Sequence, residues 1–188
     1  MSAILRRTMP ADSCFSYNVP CNAHENDEHR RIALEPRLEF VFETRLKLAP
    51  RLRMENPPVG GARLSVPVLD GEFEGPRLRG KVLNHGGEFP HVRADGVFSF
   101  DARYFMQEDD GTLIYIQNRG FRHGPPDIMD RLYNLAPGDV VDPSLYYFRC
   151  TPTFETPPGK HDWLTKYVFI GAGSRDEKGN KIRYYQVV

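Results

Sequence analysis

The chain has no surplus of either charge: 25 Lys and Arg stand against 25 Asp and Glu. A protein that grips nucleic acid through its phosphates carries a basic excess, so that class is not expected. No apolar run approaches the roughly 18–20 residues that a membrane helix needs, and no membrane partner is expected either. Arg6 and Arg7 are not followed by an apolar stretch, so the start does not read as a secretory signal. Cysteine is scarce. Cys14, Cys21 and Cys150 are odd in number and form no CxxC, which argues against a metal cage or a disulfide framework. Cys14 and Cys21 would pair only in an oxidising compartment, and a cytoplasmic location is the expectation. GxxxxGK[ST], GxGxxG after a strand, HExxH and GxSxG are all missing. The six histidines, at 24, 29, 85, 91, 123 and 161, lack any ligand spacing. No metal and no cofactor is expected.

Aromatic residues and turn formers are plentiful: nine Tyr, twelve Phe, 16 Gly and 16 Pro. That mixture favours strands and turns over helices. Residues 1–36 show neither period and read as an N-terminal extension, an arm outside the domain at 37–188. From Leu38 the alternation of strands takes over in LEFVFETRLKLA. ARLSVPVLDGEFEGPRLRGKVLN (62–84) supplies two or three strands, and HGGEFPHVRADG (85–96) reads as a turn-rich connection. FSFDARYFMQEDDGTLIYIQNRG (98–120) reads as a hairpin turning at Asp109-Asp110-Gly111. Asp127 to Leu135 is the best helix candidate, with Ile128 and Leu132 on one stripe. SLYYFRCTPTFE (144–155) is a strand, and WLTKYVFIGAGSR (163–175) pairs with KIRYYQVV (181–188). About eight strands and one short helix suit an all-β barrel or sandwich.

Polar residues dot these aromatic strands. Asp101 and Arg103 share a face, opposite Phe98, Phe100, Ala102, Tyr104 and Met106. Asn118 lies on the face of Ile114 and Ile116, while Tyr115, Gln117 and Arg119 share the other. Arg122 and His123 come shortly after Gly120. Arg149 shares a face with Tyr147, Glu155 follows Phe154, and Trp163, Thr165 and Tyr167 alternate together. On one reading these are outward residues of a wet sheet face, making cross-strand ion pairs. On the other they line a barrel that holds a small molecule, where an acid, an arginine and a tyrosine move protons and steady an anion. Alternation does not say which face points inward.

LEFVFETRLKLAP, VPVLDGEFEGPRLRGKVL, RADGVFSFDARYFMQEDDGTLIYIQNRGFRHGP, YYFRCTPTFET and WLTKYVFIGAGSR together resemble the domain-of-unknown-function family 3237, over residues from about 38 to 188. The resemblance implies a compact, closed antiparallel β-barrel similar to the allene oxide cyclase and dirigent barrels. It says little about the reaction, although barrels of that kind steer cyclisations and couplings of small molecules without a redox cofactor. One segment departs from the pattern: NHGGEFPHVRADG places Glu88-Phe89 where the family often carries a Gly-Gly-Ala-Asp-Trp type segment, a change expected at the barrel mouth.

With a closed barrel, the Phe98/Phe100/Tyr104 face is allowed to pack outward against another subunit or the extension, which turns Asp101 and Arg103 inward. On that reading the protein is a cofactor-independent isomerase, cyclase or lyase acting on a small aromatic or polyketide-like molecule. An intramolecular hydroxyl-to-alkene ring closure is the example. Asp101 is the acid/base, and Arg103 and Arg149 hold an anion. Tyr115, Asn118, Tyr147, Glu155, Trp163 and Tyr167 contact the substrate. The rival readings are a ligand-binding barrel without chemistry and an assembly protein whose aromatic faces are buried between subunits. An outward Phe98/Phe100 face also predicts a homo-oligomer.

Overall fold

The computed structural model describes residues 35–188, and within it nearly every residue from Leu38 onward belongs to a strand or a short turn. Expectations for residues 1–34, including the arm, Cys14, Cys21, His24 and His29, lie outside the described residues. Ten strands are present: β1 (Leu38–Leu48), β2 (Leu52–Glu55), β3 (Ala62–Glu74), β4 (Arg79–Glu88), β5 (His91–Val92), β6 (Phe98–Glu108), β7 (Leu113–His123), β8 (Tyr147–Glu155), β9 (Phe169–Arg175) and β10 (Gly179–Val187). Among the described residues one α-helix, α1 (Pro126–Tyr133), follows β7. Its start is set by Pro126, whose missing N–H costs nothing in the first turn. Ile128, Met129 and Leu132 are its buried stripe.

Eight strands form a ring in the order β1-β10-β9-β8-β7-β6-β4-β3, all antiparallel, and β1 pairing with β3 closes it. β2 and β5 extend the wall along the first residues of β3. The expected closed barrel of about eight strands with one short helix is therefore present. Three boundaries differ from expectation. β4 continues through Gly86-Gly87 to Glu88, so a third of the supposed connection at 85–96 is wall. Residues 162–165 form a 3-10 turn, not the start of β9. The helix ends at Tyr133 instead of Leu135.

The interior is decided by alternation. Phe98, Phe100, Ala102, Tyr104 and Met106 of β6 all point inward, Phe98 and Phe100 at 4% and 5% exposure. This corrects the expectation that this face packs outward, and it removes the patch on which the homo-oligomer rested. Burying such side chains contributes about 1.5–3 kcal/mol each, whereas the outer face holds residues that water solvates. β4 carries two extra residues against β6, where Val82 faces Met106 and Gly86 faces Tyr104. An even bulge leaves the alternation intact, so Glu88 stays on the inner face with Val82. Gly86 has φ +144°, and a Cβ there would meet the Arg103 carbonyl oxygen at 2.1 Å.

The two ends differ. At one end Phe154, Phe169 and Trp163 stack as a plug, with the Arg77 guanidinium 3.5 Å from the Trp163 ring centroid. Arg77 also donates to Gln186 at 2.9 Å. The other end is made by the ends of β1, β4, β7 and β9 and the starts of β3, β6, β8 and β10, and Tyr133 of α1 packs on Phe98 there. Within this half, Phe148 lies flat on β9 because residue 173 is glycine; a Cβ would sit 2.6 Å from the ring. Gly173→Ala is expected to lower unfolding free energy by about 1–3 kcal/mol through overpacking, read by urea denaturation. An unchanged midpoint would show that Phe148 has room to move.

Candidate functional site

Most of the residues expected to form a site lie on the outside of the barrel. The Asp101 and Arg103 side chains are 28% and 48% exposed, so the expectation that they look into the barrel is corrected. Asp101 is saturated there. It accepts from Arg103 at 3.1 and 3.0 Å, from Gln117 at 3.2 and 3.3 Å, and from Arg119 at 3.0 Å. These donors, Arg103 foremost, hold its carboxyl down at about 2. Such a group is ionised at any physiological pH. Arg149 is exposed and donates to its neighbour's carbonyl, that of Phe148, at 2.9 Å. Tyr115 packs on Phe105, Tyr147 stacks on His123, Glu155 and Tyr167 are exposed, and Trp163 belongs to the plug.

The outer cluster makes a prediction about acid stability. Asp101 has a folded pKa below its unfolded one, so its contribution is present above about pH 4 and is lost as pH falls towards about 2. Wild type should exceed Asp101→Asn in Tm by a small margin at pH 6, since exposed pairs are worth about 0–1 kcal/mol. That margin should shrink towards pH 2.5. A margin that grows on acidification would contradict the assignment.

Asn118 is the one expected site residue that the structure puts inside, at 1% exposure. It sits in mid-barrel and donates to the Tyr184 hydroxyl at 3.0 Å. Around it the Tyr104 hydroxyl, the Thr44 hydroxyl and the Asn118 side-chain oxygen are buried without partners. Burial raises the pKa of both tyrosines and pushes the Cys150 thiol up to about 12, which leaves that thiol protonated and unreactive.

The chemistry gathers at the end away from the plug. A cavity of about 420 Å³ is lined there by Glu88, Arg122, Arg175, Arg51 and Tyr133, with an apolar wall of Leu48, Leu64, Val66 and Phe98. Glu88, at the end of β4, is 5% exposed. Burial raises its pKa; the fields of Arg122 and Arg175 and the hydrogen bond from Asn180 oppose the shift. Asn180 holds the arrangement. Its Nδ2 donates to Glu88 Oε1 at 2.7 Å, and its Oδ1 accepts from Arg175 Nη1 at 3.1 Å. The Arg175 backbone N–H donates to the Tyr146 hydroxyl at 3.1 Å. Glu88 forms no ion pair with either arginine among the described residues, so the carboxyl and the two guanidiniums face a shared space without closing on each other.

Two other features are less suited. A larger cleft of about 920 Å³ runs along the wall where β3 and β4 part, and it reaches Asn180 from outside. Part of its charge is already paired, with Lys47 at 2.8 Å from Asp70 and Arg45 at 3.0 Å from Glu72, and it holds no buried acid. Glu108, Asp110 and His161 bring potential ligand atoms within 4.8 Å of one another. Here His161 Nε2 lies 2.9 Å from Asp110, and Lys160 supplies a cation 3.5 Å from the same carboxylate. The three read as a tie between the β6–β7 turn and the loop before β9.

A closed antiparallel barrel with a buried carboxyl and arginines around a cavity at one end places the chain among small β-barrel proteins. Within that class the chain belongs to the family described as "Protein of unknown function (DUF3237)", whose sequence profile matches residues 36–187. It is 37% identical over 128 residues to a UPF0311 protein of Rhodopseudomonas palustris (strain TIE-1), covering 68% of this chain and 82% of that one. A crystal structure of a β-barrel-like protein from Acinetobacter baumannii superimposes with TM-score 0.71 at 34% identity, covering 82% of this chain and 97% of that one. A structure described as an enzyme from Penicillium herquei gives TM-score 0.61 at 22% identity, covering 81% of this chain and 95% of that one, a likeness of fold alone. Among the described residues no helix is long and apolar enough to cross a membrane.

Proposed function

We propose that this barrel is a cofactor-independent isomerase or cyclase that moves one proton within a small molecule held at its polar end. The observation that carries the reading is Glu88: a carboxyl at the wall of a cavity, with its pKa raised by burial and two guanidiniums facing the same space. A raised carboxyl is matched to proton transfer near neutral pH. Asp101 lacks that property.

For ring closure onto an unsaturated carbonyl compound the step balances without any added reagent. Glu88, as carboxylate, takes the proton of the substrate hydroxyl as that oxygen bonds to the β-carbon. The alkene electron pair moves to the carbonyl oxygen, and the enolate forms beside the arginines. Glu88 then returns the proton to the α-carbon. The apolar wall strengthens the interaction of the guanidiniums with the developing charge. The fungal barrel described as an enzyme lends fold-level analogy only.

The test is native mass spectrometry of the purified protein, extraction of the bound compound, and its incubation with wild type and Glu88→Gln in D2O. A product of unchanged composition carrying one carbon-bound deuterium, absent with the variant, supports the reading. A compound returned unchanged by wild type would make the protein a ligand-binding barrel without chemistry.

A further inference from the structure

Arg122 is the least satisfied charged group in the described structure. It is 3% exposed, its Nε is buried without a hydrogen-bond partner, and no carboxylate pairs with it among the described residues. Its neighbours are aromatic faces: the guanidinium carbon lies 4.3 Å from the Phe98 ring centroid, 5.2 Å from Phe148 and 5.3 Å from Tyr133. Cation–π contact offsets part of the desolvation of a guanidinium but leaves its in-plane N–H donors unused. The Tyr133 hydroxyl is also buried without a partner. Both side chains line the same cavity.

The missing partner is an acceptor, and the surroundings say of what kind. Arg51 and Arg175 add positive charge to the lining. Burial and then the field of Arg122 lower the Arg175 pKa, with Glu88 opposing the shift. Of the two acids in the lining, Glu88 is turned to Asn180 and Glu177 is exposed to solvent. A guanidinium stacked on a ring offers its donors in one plane, which suits the two coplanar oxygens of a carboxylate. Leu48, Leu64, Val66 and Phe98 make up an apolar wall of the same cavity and call for an apolar body, which inorganic phosphate lacks.

We infer that Arg122, with the Tyr133 hydroxyl, binds the carboxylate of a small organic acid whose apolar body lies against Leu48, Leu64, Val66 and Phe98. This rests on the reading of the pocket as the substrate site and names the class of substrate. Arg175 then remains beside Glu88 to face the charge that develops during proton transfer. A cavity of this size falls at the small end of ligand sites, which run from about 300 to 1,000 Å³.

The experiment measures binding of benzoate, cinnamate and their neutral amides, with inorganic phosphate alongside, by isothermal titration calorimetry and ligand-observed NMR. Wild type is compared with Arg122→Met, Arg122→Lys and Glu88→Gln. At least one acid should bind at least 10-fold more tightly than its amide and more tightly than phosphate. Arg122→Met should abolish that preference, and Arg122→Lys should retain only part of it, because a point charge replaces a fork. Equal binding of acid and amide, tighter binding of phosphate, binding untouched by Arg122→Met, or no binding of any acid would each overturn the inference. Glu88→Gln separates the two readings. It should keep or improve acid binding, so a Glu88→Gln protein that still turns over substrate defeats the proton-transfer role and leaves the carboxylate site standing.

Discussion

Glu88→Gln should reduce kcat/KM on the extracted substrate by about 10²–10⁴-fold, the range for loss of a positioned acid–base group. The fold should survive, because a glutamine oxygen still accepts from Asn180 Nδ2 where Glu88 Oε1 now does at 2.7 Å. Stability gives an independent check. The folded pKa of Glu88 lies above its ordinary value of 4.5. The stability linked to this group is therefore fully present below the unfolded pKa and is lost as pH rises through the folded one. Glutamine has no such loss. The Tm of Glu88→Gln relative to wild type should thus climb as pH rises above the ordinary carboxylate range. A variant that turns over normally would end the proposed role, and a Tm difference that falls with pH would contradict the burial-driven shift.

Asn180→Ala should be the most damaging polar substitution at this end. The amide satisfies two charged groups at once, Arg175 through Oδ1 and Glu88 through Nδ2. Hydrogen bonds to charged groups are worth about 1.5–3 kcal/mol each, and a partner left buried adds its desolvation. A loss of about 2–4 kcal/mol in urea unfolding is expected, below the sum of the two bonds because water can enter from the neighbouring cleft. A purely structural role would stop there. Asn180 is instead a positioning residue: its hydrogen bond lowers the Glu88 pKa, so its removal should shift the rising limb of the pH–kcat/KM profile upward. An unmoved profile would mean that Asn180 only supports the wall.

The barrel was largely legible in the sequence because period-2 alternation is local. Ile114, Ile116 and Asn118 stand on one face of β7, Tyr115 and Gln117 on the other, and both assignments hold. Which face looks inward is not local. It depends on closure, and for β6 the larger aromatic set took the interior because its burial outweighs anything gained by enclosing an ion pair. The site was missed for the same reason: Asp101 and Arg103 drew the reading because they are conspicuous neighbours. A better signal lay on the neighbouring strand, β7. Arg122 continues the parity of Ile114 and Ile116, so an apolar interior face for those two places a guanidinium inside. Glu88 was noticed only as a departure from a family pattern, since His85-Gly86-Gly87 before it reads as a turn. Only the register against β6 shows that the chain bulges by an even number and returns. Arg175 and Asn180 flank the last turn of the barrel, and nothing in their spacing relates them to Glu88.

The position of the tryptophan has an optical consequence. The chain contains one Trp, and it sits in the plug, covered by Arg77 and packed on Phe169. It is absent from the lining of the cavity that holds Glu88 and Arg122. Its emission will report loss of the barrel faithfully and stay silent when a ligand enters the other end. A fluorescence titration with no signal change is therefore the expected record of successful binding, and Phe98→Trp would move the reporter to the pocket wall, where an incoming acid would quench or shift it.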